Sequence, residues 1–236
     1  MKTRLIILGI FLSLRVFSQH TGQQSETIKK TFCAENNLET FLKTHDKTGT
    51  TGFFDTTNYW RIQMHFESIV KDKSNPLVYH IFGASRHRKT VTAFEGTIRI
   101  KHVFPVNDKR YPPGKIYDID AEYILSEDST KKFSGKFEGK SGFRLHQNSR
   151  NILSDLEERI FGNRYSNFTY KGIWTAYKSR KTIVCCWGNG RLPVPKKIDI
   201  GDKAFSIADK YIKYGWKKDN KGNYLDNPSE WWKKPL

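Results

Sequence analysis

From Tyr59 onward the side chains alternate with a period of two: Trp60, Ile62, Met64 and Phe66 are large and apolar, while Arg61, Gln63, His65 and Glu67 are polar. A strand with one buried face has this pattern, because successive side chains leave a pleated backbone on opposite sides. Leu77 to Phe82 reads as its partner and Phe94 to Phe104 as a third strand. Tyr117, Ile119, Ala121, Tyr123 and Leu125, alternating with Asp118, Asp120 and Glu122, form a fourth. Lys132 to Glu138, Gly142 to His146, Phe168 to Tyr177 and Thr182 to Trp187 supply four more. About eight strands separated by turns predict a mainly β, antiparallel meander.

The third and fourth strands predict a register. Matching their apolar faces requires paired residue numbers with an odd sum, and a sum of 219 sets Ile100 against Ile119 and Ile98 against Ala121. The same alignment places Arg99 opposite Asp120, Lys101 opposite Asp118 and Thr97 opposite Glu122. An aromatic-x-Gly pattern recurs at Phe94-Glu95-Gly96, Phe133-Ser134-Gly135, Phe137-Glu138-Gly139 and Tyr170-Lys171-Gly172. Glycine inside a strand marks a bend, a bulge or a place where a ring lies over the backbone, so the repeats predict a sheet curled into a barrel or half-barrel.

The flanks read differently. Residues 1–18 have the form of a signal peptide: Lys2 and Arg4, an apolar run from Leu5 to Leu14, then the small residues Val16 and Ser18, with cleavage expected after Ser18. No transmembrane span is expected in the mature chain, and export to the periplasm or outside the cell follows. Residues 19–50 form a polar segment with a helix expected over Ile28 to Leu42. The β domain covers 51–200. Within it, Asn151 to Phe161 carries a helical stripe of Ile152, Leu153, Leu156 and Ile160 ending at Gly162. Residues 201–236 hold a second stripe, Ala204 to Ile212 ending at Gly215, and an aromatic, basic tail with Trp216, Tyr224, Trp231 and Trp232 that is expected to pack on the domain. Two or three short peripheral helices result.

The chain carries 41 Lys and Arg against 24 Asp and Glu; loss of Lys2, Arg4 and Arg15 with the leader leaves 38 against 24, a charge of +14. Its 37% hydrophobic and 14% aromatic content is incompatible with a disordered chain or a multi-span membrane protein. Export would expose Cys33, Cys185 and Cys186 to oxidising conditions. Adjacent strand residues face opposite ways, so only one of Cys185 and Cys186 can reach Cys33, and one disulfide or three free thiols are the alternatives.

Candidate chemistry is sparse. Asp118, Asp120 and Glu122 share a strand face at about 6.6 to 6.8 Å spacing, which suits a carbohydrate hydrolase, a contribution to a calcium site, or a solvated face neutralised by Arg99 and Lys101, the last being the reading adopted. His20, His45, His65, His80, His87, His102 and His146 are scattered without metal-ligand spacing, with His65 on the polar face and His102 on the core face beside Tyr117. The GKFEGKS segment at 135–141 fails the phosphate-loop spacing, and no G-x-S-x-G elbow occurs. No metal and no cofactor is expected.

One absence stands out: no acidic residue lies between Glu158 and Asp199. That stretch interleaves Arg159, Arg164, Lys171, Lys178, Arg180, Lys181, Arg191, Lys196 and Lys197 with Tyr165, Phe168, Tyr170, Trp174, Tyr177 and Trp187. Lys171, Trp174, Tyr177, Lys178, Arg180, Lys181 and Arg191 are the candidate contacts for an anionic glycan or lipid-linked polymer, by charge and stacking. The bland alternative is a basic surface paired with Asp155, Glu157 and the Asp118 face. Arg86, His87, Arg88 and Lys89 form a second cluster at a hairpin tip.

Gly172-Ile173-Trp174 resembles the short G-x-W signature in the first strand of lipocalins, although here it falls in a late strand. The resemblance covers three residues and implies a calycin-like barrel with an aromatic ring packed across a closed end, and a small ligand inside. Three functions follow from the sequence: an exported non-enzymatic binder of a ligand or anionic envelope polymer, a hydrolase using the Asp118, Asp120 and Glu122 strand, or an envelope assembly component docking through Trp231 and Trp232. No specific nucleic-acid recognition is expected.

Overall fold

The period-two pattern is realised as a ring of strands. A computed structural model describes residues 25–44, 50–107, 113–155, 168–188, 192, 194, 197–201, 205–217 and 230–233. The expected leader, Arg159, Arg164, Tyr165, Arg191, Lys196, Ala204 and Tyr224 lie outside the described residues, as do residues 156–162 of the expected second helix.

Nine strands are present: β1 (Thr50–Phe54), β2 (Trp60–Lys71), β3 (Val78–His87), β4 (Thr90–Val106), β5 (Lys115–Glu127), β6 (Gly135–Gln147), β7 (Leu153–Asp155), β8 (Thr169–Ala176) and β9 (Thr182–Gly188). All pair antiparallel in the order β5-β4-β3-β2-β1-β9-β8-β6-β7, and an additional β5–β6 ladder closes the sheet into a ring. β7 and β8 share one edge of β6, β7 against Leu145 to Gln147 and β8 against Gly135 to Gly142, so the wall is eight strands around.

The inner face is filled by large rings. Phe66, Tyr79, Phe94, Tyr123, Phe137, Tyr170 and Trp187 are buried, with Met64 and Ile98 between them. Contacts cross the ring from wall to wall: Phe66 on β2 meets Tyr170 on β8 at 5.6 Å, Phe54 on β1 meets Phe137 on β6 at 6.4 Å, and Tyr123 on β5 meets Trp187 on β9 at 5.1 Å. Two directly opposed glycines make this possible. Gly139 pairs with Gly172, and a Cβ on Gly172 would run into the Glu138 carbonyl and lie 2.6 Å from the Tyr123 hydroxyl. The glycines thus give Tyr123 room to lie across β6 and β8.

Several expectations are corrected. The predicted strands at 132–138 and 142–146 are one strand, β6. The β4–β5 register is shifted by two, with Ile98 opposite Tyr123 and Ile100 opposite Ala121, and a bulge between Ile100 and His102 advances it by a further residue. Faces are conserved by a shift of two, which is why core matching alone did not fix the register. The bulge also turns His102 outward, its side chain 55% exposed, and puts Val103 into the core instead. The N-terminal helix is two helices, α1 (25–35) and α2 (Glu39–Thr44), broken at two asparagines: Asn36 Nδ2 donates back to the Phe32 carbonyl, and Asn37 Oδ1 caps the N–H of Glu39. Leu153 to Asp155 is strand, not helix. Asn148 accepts from the N–H groups of Arg150 and Ile152, and this turn returns the chain along β6. The described part of the expected stripe, 205–212, is not a helix but a bridge of Ile207 to Asp199 followed by a 3₁₀ turn over Asp209–Tyr214 that stops at left-handed Gly215.

The outer face of β1, β2 and β9 carries a second core. Phe53, Tyr59 and Cys186 pack with Leu192, Ile198, Ile207, Tyr211 and Trp216, whose indole N–H donates to the Tyr59 carbonyl at 2.6 Å. Further round, Trp232 stacks on His65 at 3.5 Å and Arg86 lies over Trp231 at 4.8 Å. Trp231 is 3% exposed. The described tail therefore lies on the domain, and buries the polar face of β2: Arg61, Gln63 and His65.

Candidate functional site: the cationic turn end

In a next-neighbour antiparallel ring the hairpin turns alternate between two ends. At one end α1 and α2 cover the opening, with Phe32 on Tyr117 at 4.6 Å and Phe41 on Phe168 at 5.5 Å. Lys71 latches them by donating to the carbonyls of Cys33 and Asn36 at the C-terminus of α1, where the helix presents its negative end. At the other end gather the β1–β2, β3–β4, β5–β6 and β8–β9 turns.

This turn end is closed from inside by a buried carboxylate. Glu127, on the inner face at the end of β5, accepts from Ser85 Oγ on β3, from the Gly135 N–H on β6 at 2.8 Å and from Trp174 Nε1 on β8 at 2.9 Å. Burial raises its pKa, and the bonds from Ser85, Trp174 and Gly135 only partly offset this. Phe54 packs edge-on against Trp174 at 5.2 Å and against His87 at 5.0 Å, and Arg88 caps the Trp60 ring at 3.8 Å. Burial, reinforced by Arg88, lowers the His87 pKa.

Above this closure stand the turns. Tyr177, Lys178, Arg180 and Lys181 occupy the β8–β9 turn, as the acid-poor stretch suggested. The Tyr177 N–H donates to the Ser134 carbonyl at 3.1 Å, which joins that turn to the β5–β6 loop and so to Lys131, Lys132 and Phe133. Arg88 and Lys89 lie on the β3–β4 turn. The two rim carboxylates are occupied locally: Asp55 accepts from the N–H groups of Thr57 and Asn58, and Asp128 from Thr130. The ion pairs of the described outer wall lie elsewhere, in Lys101–Glu122, Lys136–Glu138 and Arg144–Asp118.

The other candidate contacts are dispersed. Trp174 is an inward ring bonded to Glu127 and offers no outer stacking face. Lys171 lies on the outer wall, in a groove of about 440 Å³ with Lys101, Asp120, Glu122 and Lys140. Lys132 and Phe133 fall at the start of the strand expected over Lys132 to Glu138, and Lys131 lies just before it; the Asp128-Ser129-Thr130 turn is the signal that places all three on a loop.

The three carboxylates of β5 face outward. Asp118 takes two hydrogen bonds from Arg144, at 2.6 and 2.7 Å, Asp120 lies 3.7 Å from His102, and Glu122 is 3.0 Å from Lys101. This is the geometry of a neutralised strand face. Of the two alternatives for the cysteines, the structure has three free thiols: Cys33, Cys185 and Cys186 are unpaired with one another and buried. Cys33 lies on α1 by the Lys71 latch, Cys185 faces inward between Phe54 and Gly172, and Cys186 faces the outer core, so the three belong to separate layers. Burial pushes Cys33 up to about 11 and Cys186 up to about 12, and raises Cys185 as well. Among the described residues no group of His, Cys, Asp and Glu is arranged to hold a metal, and no helix is long and apolar enough to cross a membrane.

No protein-family model, no curated protein and no solved structure matches the chain.

Proposed function

We propose that the chain is an exported, non-enzymatic barrel protein that binds an anionic envelope polymer through its turn end. The supporting observation is the convergence of Lys131, Lys132, Lys178, Arg180 and Lys181 on two turns held together by the Tyr177–Ser134 hydrogen bond, with the nearby Asp128 already engaged by its own loop. Five cations gathered around one carboxylate, Asp128, whose charge Lys131 partly meets, keep a net positive field that concentrates a polyanion and that salt screens. The interior, crossed by contacting rings, supports an outer rather than an internal site. Two of the β5 carboxylates, Asp118 and Glu122, in ion pairs with Arg144 and Lys101, and the protonated, buried thiols likewise support a binding role over a catalytic one.

The test is retention on heparin resin in a salt gradient. The intact protein elutes late, and replacing Lys178, Arg180 and Lys181 together by Glu moves elution to markedly lower salt. Replacing Lys140 and Lys171 by Glu, which alters the outer groove alone, leaves elution nearly unchanged. Elution indifferent to salt, or governed by the groove pair, refutes the turn-end reading.

A further inference from the structure

Resting on that reading of the cationic turn end, we infer that the same end, besides the polymer, also engages the headgroup layer of a lipid bilayer, entered by the Phe133 ring with the surrounding cations on the phosphates. Phe133 is 90% exposed, far more than any other large apolar side chain described; the next, Ile200, is 57% exposed. Its backbone is held in the left-handed region at φ 62°, unusual for a residue with a bulky side chain.

The loop that presents it is fixed at both feet. On one side the Asp128 N–H donates to the Ala93 carbonyl and the Asp128 carboxylate binds Thr130. On the other, Ser134 is buried, its hydroxyl donates to the Lys131 carbonyl, its own carbonyl accepts from Tyr177, and Gly135 is tied to Glu127. The ring is therefore presented to solvent by a pinned frame. Exposing a phenyl group this fully costs the protein the burial it would otherwise gain, and an apolar phase beyond the rim recovers that gain.

Charge complements the ring. Lys131 and Lys132 precede it, and Lys178, Arg180 and Lys181 stand on the adjoining turn, so an apolar wedge is set among cations that match anionic lipid headgroups. This combination of one inserting apolar group and a basic surround is that of proteins lying on, rather than through, a bilayer. A soluble polyanion would occupy the cations equally well but leave the ring in water. A sugar-stacking platform, by contrast, keeps one ring face against the protein, which 90% exposure does not allow.

Flotation with phosphatidylcholine vesicles, alone or mixed with phosphatidylglycerol, tests this beside the heparin measurement. The protein is expected to float with the mixed vesicles and not with phosphatidylcholine alone, and Phe133→Ser should lower its partition by about tenfold or more while eluting from heparin at the unchanged salt concentration. Phe133→Trp should float like the parent. A thermal melt shared by all three proteins shows that the substitutions leave the fold intact, as the exposure of the site requires. Equal flotation of Phe133→Ser and the parent overturns the insertion, as does a Phe133→Ser protein that loses heparin and vesicles alike, since the ring would then serve the polyanion. A parent that binds heparin but no vesicle overturns the lipid assignment and leaves the polymer reading standing. A parent that binds neither overturns both.

Discussion

Replacing Glu127 separates two effects of a buried carboxylate, the hydrogen bonds it accepts and the charge it carries. In Glu127→Ala the Gly135 N–H and the Trp174 indole N–H lose their acceptor inside a closed barrel end, while Ser85 Oγ can turn to the Thr92 carbonyl 3.5 Å away. Two stranded buried donors at about 1–3 kcal/mol each, reduced by relief of the buried charge, give a loss of about 3 kcal/mol. Glu127→Gln keeps the shape. Its Oε1 can accept from Gly135 and Trp174 and its amide can donate to Ser85, so stability at neutral pH should stay within about 1 kcal/mol. The two substitutions also differ from the parent in pH response. Because burial raises the folded pKa, the folded protein holds a proton that the unfolded chain has released in the window between the ordinary glutamate value and the folded one. Unfolding free energy therefore falls as pH rises through that window, by about 1.4 kcal/mol for each unit between the two pKa values, and is independent of this group below it. His87 acts in the opposite sense, because its folded pKa is lowered and stability is lost as pH falls through the range below its ordinary value. The parent minus Glu127→Gln difference cancels His87 and isolates the carboxyl. Urea unfolding followed by tryptophan fluorescence across pH 5 to 8, read as about 3 kcal/mol for Ala and a flattened pH profile for Gln, checks the argument. An alanine cost below about 1 kcal/mol, or a glutamine cost equal to it, would refute the reasoning.

Two further outcomes are expected. Gly172→Ala forces a Cβ into the Glu138 carbonyl and beneath the Tyr123 hydroxyl and should cost about 2–4 kcal/mol, whereas Gly142→Ala, whose nearest atoms lie 3.8 Å away, should be within about 0.5 kcal/mol; comparable melting points for the two would contradict the close-approach account. The three thiols, buried and shifted upward, should resist a thiol reagent in native buffer, all react in guanidinium, and leave the melting curve unaffected by reductant; a reductant-dependent melt would reveal a disulfide.

What was legible in the sequence follows the range of the physics involved. The face of β2 was legible because Trp60, Ile62, Met64 and Phe66 alternate against a single core. β1 was not, because Phe53 and Phe54 are both apolar and buried, one against Ile198, Ile207 and Trp216 and the other in the ring, and a strand with two apolar faces shows no alternation. Gly139 to Ser141 reads as a break between two strands because a glycine-bearing strand is recognisable only when the ring that covers it, Tyr123, is known. Within the candidate site, Tyr177 to Lys181 could be read locally. Their union with Lys131, Lys132 and Phe133 depends on β8 pairing with β6 some forty residues earlier in the chain, a contact no window of sequence contains.

The G-x-W resemblance separates into two parts once the interior is considered. The ring across a closed end is present: Trp174 packs on Phe54 and its indole N–H is held by Glu127. The expectation of a small guest inside meets a different wall, since Tyr123, Tyr170 and Trp187 reach the centre and pack on one another, Tyr170 stacked on Trp187 at 5.3 Å and 7° and Tyr123 edge-on to both. A site there would require these rings to leave their packing, at a cost of several kcal/mol for each large side chain displaced. The turn end asks for no such rearrangement. Its backbone is fixed by Glu127, Ser134 and Asp128, and its charges and exposed phenyl already face outward, so binding there would leave the barrel as it is.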